Sequence, residues 1–141
     1  MIEVKALLLC DSANVREGLL GVLAGGITTI NRPSYPAPLL ADLALSFLIS
    51  GVPENGESFH ITVEGHHEDE ASEALFGAEV DLDVGYVAEA RLNTVPLVLS
   101  LANAGVPKAG IYTIVVSANN EVIGSLPFDA RIDPALPSPS I

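Results

Sequence analysis

His60, Thr62 and Glu64 alternate along one stretch, and Glu79, Asp81 and Asp83 alternate along a later one. If Ser58–Glu64 and Phe76–Tyr86 pair as a hairpin, these six side chains meet on one outer face. Carboxylates without basic neighbours repel one another, and a divalent cation relieves that repulsion. Glu64, Glu79, Asp81 and Asp83 are therefore the candidate metal ligands. Their oxygens suit Ca²⁺ or Mg²⁺, and the nearby His66 and His67 admit Zn²⁺. The spacing matches no recognised ligand motif, and the competing reading is a solvated acidic face. No cofactor is expected.

Other chemistry finds less support. Gly21 to Thr28 has the spacing of a phosphate-binding loop, but Ile27 stands where the lysine should be, so these are turn glycines. Cys10, the one cysteine, ends an apolar stretch with no histidine near in sequence; it reads as a small buried hydrophobe. Neither a Gly-x-Ser-x-Gly elbow nor a His-Glu-x-x-His motif is present. A paired-carboxylate glycosidase would need an aromatic platform for sugars. The chain has no tryptophan and only Tyr35, Tyr86 and Tyr112 as tyrosines. The expectation is a protein that is not an enzyme.

Composition narrows the partners. The 141 residues carry a formal charge of −12, with a pI of about 4.3. That disfavours nucleic acid and anionic membranes, which both call for lysine and arginine. Between Arg32 and Arg91 there is no lysine or arginine at all. A basic protein surface, or self-assembly, is the partner expected. The longest uncharged run, Leu92 to Pro107, falls short of the roughly 20 residues of a spanning helix and contains prolines. The start, Met-Ile-Glu-Val-Lys, does not resemble a signal peptide. The expected location is the cytoplasm or an assembled particle.

The elements that must position these residues are short strands. Ile2 to Cys10 alternates and is apolar on both faces by its end, as in a strand inside a sheet. Asp11 to Glu17 is compatible with a short helix capped by Asp11 or Ser12, but Gly18, Gly21, Gly25 and Gly26 oppose a long one. A turn at Glu17-Gly18 is preferred, followed by strands Leu19–Leu23 and Ile27–Ile30. Asn31 to Pro38 is a proline-rich loop. Asp42–Ser50 directs Leu43, Leu45, Phe47 and Ile49 inward, and Ser58–Glu64 does the same with Phe59, Ile61 and Val63. His66 to Ala74 is polar and acidic, hence an exposed loop. Phe76–Tyr86 and Thr94–Leu101 follow, Pro96 marking an edge strand or bulge.

Lys108 to Phe128 is a hairpin. A three-residue loop, Ala118-Asn119-Asn120, places Val116 opposite Val122 and Tyr112 opposite Leu126, with Asn120 left-handed. A two-residue turn would put Val116 opposite Ile123 and leave Val122 and Leu126 on the wrong side. Gly110-Ile111-Tyr112 resembles the tyrosine corner of immunoglobulin-like sandwiches, where the hydroxyl bonds backbone just upstream. The cysteine usual two residues later is Ile114. The fold expected is an all-β, immunoglobulin-like, two-layer antiparallel β-sandwich of about eight strands. Tyr112, Ile114, Val116, Phe47, Ile61, Val80 and Leu99 should be buried in it.

Leu9-Cys10-Asp11-Ser12-Ala13-Asn14-Val15-Arg16-Glu17-Gly18, Gly25-Gly26-Ile27-Thr28, Pro36-Ala37-Pro38-Leu39 and Gly110-Ile111-Tyr112 through Leu126-Pro127-Phe128 carry a resemblance. Up to about Ile132 the chain is similar to a family of small bacterial proteins classed as a domain of unknown function. The resemblance implies a compact all-β domain and supplies no activity and no catalytic residues.

Two segments are expected: a sandwich domain over 1–132 and a Pro/Ser-rich arm over 133–141. Pro134, Pro137 and Pro139 stiffen the arm and remove backbone donors. Leu136, Pro137 and Ile141 are its candidate partner-binding residues. The functional expectation is a protein-interaction module, an accessory or structural subunit of a larger assembly such as a phage or bacterial particle. The alternative is a module that binds a divalent cation or small ligand on its acidic face.

Overall fold

A computed structural model describes residues 1–89 and 91–137. The fold is an immunoglobulin-like β-sandwich. One sheet has the order β2-β1-β5-β8: β1 is Ile2–Arg16, β2 Leu19–Gly25, β5 Asp42–Ser50 and β8 Leu92–Ser100. The facing sheet runs β3-β11-β10-β6-β7, with β3 at Thr29–Arg32, β6 at Glu57–His67 and β7 at Ala74–Val84. Its remaining strands are β10, Gly110–Ala118, and β11, Glu121–Ile132. A two-strand ribbon, β4 (Ala37–Pro38) with β9 (Gly105–Val106), completes the set. Among the described residues no helix is long and apolar enough to cross a membrane.

Alternation builds the core wherever the strands are regular. Leu43, Leu45, Phe47 and Ile49 of β5 are wholly buried, and β5 has the bounds its pattern predicts. They face Ile61, Val63, Tyr112, Ile114, Val116 and Phe128 from the other sheet. The layers come close at Gly124, where a Cβ would stand 3.4 Å from Val4 Cγ2 and 3.6 Å from Leu7 Cδ2. Val80 and Leu99 are only partly buried, because β7 and β8 are edge strands with one flank open.

Four expectations are corrected. The first strand does not stop at Cys10 but runs on to Arg16, so Asp11–Glu17 forms no helix, and the turn preferred at Glu17-Gly18 forms with both residues left-handed (φ 54° and 74°). Ser12, Asn14 and Arg16 alternate with Ala13 and Val15, a period of two that outweighs the capping signal. The terminal hairpin turns through two residues, Asn119 and Asn120 (φ 50° and 68°), whose twist matches that of the flanking strands. A bulge follows between Ser117↔Val122 and Val116↔Gly124. The extra residue resets the register so that Leu126 faces Ile114 and Phe128 faces Tyr112, while Val122 is left 63% exposed. The sandwich is not wholly antiparallel, since β3 joins β11 in parallel. The fourth correction concerns His66 and His67, which belong to β6; His67 is buried, and the chain leaves the sheet only at a 3₁₀ turn, Glu68–Glu70.

Candidate functional site

The acidic face forms as expected. β6 and β7 pair antiparallel with His60 opposite Asp81, Thr62 opposite Glu79, Ser58 opposite Asp83 and Glu64 opposite Gly77. His60 Nδ1 lies 2.7 Å from Asp81 Oδ1, and its Nε2 is 3.6 Å from Glu79 Oε2. Donating to the Asp81 carboxylate raises the His60 pKa above its ordinary 6.5, and the charges of Asp81 and Glu79 reinforce it. Ser58 Oγ donates to Asp83. Glu64 Oε2 sits 3.1 Å from His66 Nε2. Glu64, Glu79, Asp81 and Asp83 are thus strung along two strands, Glu79 and Asp81 sharing His60 while Glu64 meets His66 and Asp83 meets Ser58. Among the described residues no three metal-ligating side chains converge.

Beneath one end of this face lies the tyrosine corner. Tyr112 is fully buried, and its hydroxyl donates to Lys108 O at 2.6 Å while Lys108 N–H approaches it at 3.3 Å. Burial pushes the phenol above its ordinary 10.0, against the pull of the Lys108 hydrogen bond. Phe128 stacks on the ring at 5.1 Å, and His67 meets it edge-on at 4.9 Å. His67 Nδ1 accepts from Asp69 N–H at 3.0 Å, which puts the ring proton on Nε2, where it donates to Ala109 O at 2.9 Å. Gly110 passes so close that a Cβ would stand 2.3 Å from that Nε2. Glu68 Oε2 accepts from Ile111 N–H, and Lys108 Nζ lies 3.5 Å from Glu70 Oε1. These contacts clamp the 3₁₀ turn to the corner.

A shallow groove of about 310 Å³ opens beside the clamp, lined by His66, His67, Glu68, Ala71, Thr113 and Val115. Among the described residues, none of the three imidazoles hydrogen-bonds a serine, threonine or cysteine. Cys10 is fully buried, and burial, with Asp42 and Asp11, pushes its thiol up from 9.0, away from the reactive thiolate.

Sequence reasoning missed a second surface. β5 pairs with β1 only as far as Cys10, so Asp11–Arg16 and β2 project as an arm. Leu19 is 70% exposed on it and Leu23 66%; Val15 and Val22 are also exposed. The signal was present: Ala13-x-Val15 and Leu20-x-Val22 alternate across a Glu-Gly turn, as a hairpin does. In the C-terminal arm, Asp133 N–H bonds Arg32 O and the Asp133 carboxylate accepts from Ala135 N–H. Leu136 and Pro137 are exposed, and Ile141 lies outside the described residues.

A search of curated proteins finds no match. Two solved structures are similar to this chain at low identity. One is an alkylpurine DNA glycosylase of Pseudomonas fluorescens bound to DNA containing an abasic site analog, 12% identical with a TM-score of 0.46. That likeness covers 92% of this chain, which spans 30% of the glycosylase. The other is an immunoglobulin-like protein of Pseudomonas aeruginosa, 9% identical with a TM-score of 0.40, covering 93% of this chain and 97% of that one. A family match extends over residues 5–131, from β1 to the end of β11, and so takes in the arm, the acidic face and the tyrosine corner. The chain belongs to that family, a family of unknown function (DUF6941).

Proposed function

We propose that this chain is a non-enzymatic protein-interaction module, an accessory or structural subunit of a larger assembly such as a phage or bacterial particle. The observation that carries this reading is the β1–β2 arm. The hairpin runs past the end of β5, tied to it by Ala13 N–H on the Asp42 carboxylate, yet Val15, Leu19, Val22 and Leu23 hold apolar surface in water there. Covering each such side chain stabilises a complex by roughly 1.5–3 kcal/mol. A groove on a neighbouring subunit is the occupant that fits a two-stranded arm. The test is Leu19→Ser with Leu23→Ser, comparing the native complexes formed by variant and parent. Surface changes of this kind alter stability by about 0.5 kcal/mol or less. The melting temperature should hold while the variant drops out of the assembly. Equal incorporation of variant and parent would sink the reading.

A further inference from the structure

The two sheets end in four edge strands, and three of them are short or interrupted by proline. β8 lacks an N–H at Pro96, β3 has four residues followed by Pro33, and β2 has seven, with Ala24 left-handed (φ 52°) near its end. β7 has none of these devices. It is eleven residues long, free of proline, and paired on one flank only, with β6. Among the described residues, no backbone hydrogen bond outside the ladder involves residues 74–84. An open edge of this kind presents a row of unpaired donors and acceptors to any extended chain. Only charge guards it. Glu79 and Asp81 are 72% and 75% exposed on the outer face, with Asp83 exposed beside them.

A charge guard selects where a proline blocks. The geometry points to residues 78–83 of β7 as a docking edge for an extended basic segment of another protein, added as a sixth strand. The occupant follows from the side chains on each face. Lysine or arginine at alternate positions would meet Glu79, Asp81 and Asp83 across the new ladder. The intervening positions would be apolar, covering the exposed flanks of Val80 and Leu82, which are only partly buried on the inner face. A second copy of β7 is the wrong occupant, because it would set the same three acids against themselves. Six residues span roughly 20 Å, enough for three such cross-strand pairs. This inference rests on the reading of the chain as an interaction module, but it uses a different surface from the arm.

The probe is a capped six-residue peptide alternating lysine and valine, with a glutamate–valine peptide as its control. Hydrogen exchange on the full chain reads the site. The lysine peptide should slow exchange at amides of residues 78–83, less so in high salt, and the glutamate peptide should not. Replacing Glu79, Asp81 and Asp83 by lysine should weaken the lysine peptide by about tenfold or more and admit the glutamate peptide. Should that variant not fold, the isosteric Glu79→Gln, Asp81→Asn, Asp83→Asn chain should still lose affinity for the lysine peptide. Unchanged exchange at residues 78–83, equal protection by both peptides, or unaltered affinity in the folded variants would overturn the proposal. The arm variant separates the two readings. If it leaves its assembly while the lysine peptide never protects β7, the edge fails and the arm stands. Protection of β7 in a chain that needs no arm to assemble upholds the edge and removes the arm.

Discussion

Gly110→Ala is the sharpest perturbation of the corner. Gly110 sits at φ +133°, a region that L side chains rarely adopt, and its missing Cβ leaves room for His67 Nε2. An alanine there carries a backbone cost of about 1–3 kcal/mol. Its methyl, 2.3 Å from Nε2, must also drive the imidazole away from Ala109 O. That leaves a buried donor without its acceptor, which costs about 1–3 kcal/mol more. The sum is about 2–6 kcal/mol, against a total stability of about 7–21 kcal/mol for a chain of this length. For a urea slope of about 2 kcal/mol per M, the unfolding midpoint should fall by about 1–3 M with the slope unchanged. Gly105→Ala is the matched control. It has a negative or extended φ and nothing within 4 Å of its Cβ, so its midpoint should barely move. The His67 ring resonances supply a second readout, since the Nε2 proton should lose its protection. A loss below about 1 kcal/mol, or a large loss with an undisturbed His67 ring, would refute the reasoning.

Two further outcomes are expected. Tyr112→Phe keeps the stack on Phe128 but removes the hydroxyl between Lys108 O and N–H, so denaturation should show a loss of about 1–3 kcal/mol; full retention would mean the corner bond contributes nothing. His60 should titrate by NMR above its ordinary 6.5, and Asp81→Asn should bring it back down. Because the folded value is the higher one, the pairing stabilises the fold fully below pH 6.5 and is lost as pH rises through the folded value. A His60 that titrates at or below 6.5 would remove that contribution.

The regular strands could be read from sequence because a period of two has one answer when no residue is inserted. β5 shows this, its four inward residues and both of its ends following from alternation alone. β1 does not. A bulge between Val4 and Ala6 switches its parity, so Val4 and Leu7 both pack on the core, though they stand on opposite faces of an unbroken strand. The same irregularity between Val116 and Ser117 defeated the expected register of β10 and β11. A bulge has no residue signature of its own; it is set by which side chains the opposite sheet can accept. The acidic face was legible because β6 and β7 keep an unbroken register over Glu57–Gly65. His67 was hidden because its neighbours Glu68 to Glu70 look like a solvated loop. Only Gly110, forty-three residues away, leaves the space in which a histidine can be buried.

The parallel pairing of β3 with β11 has a temporal consequence. Thr29 meets Asp129, so its partner is made a hundred residues later. At about 5–20 residues per second, β3 emerges from the ribosome and waits about 5–20 s before the strand that receives it exists. β1, β2 and β5 can join well before then, because their pairings are complete by Ser50. The nascent chain therefore passes through a stage in which one layer is laid down and its buried face is still uncovered.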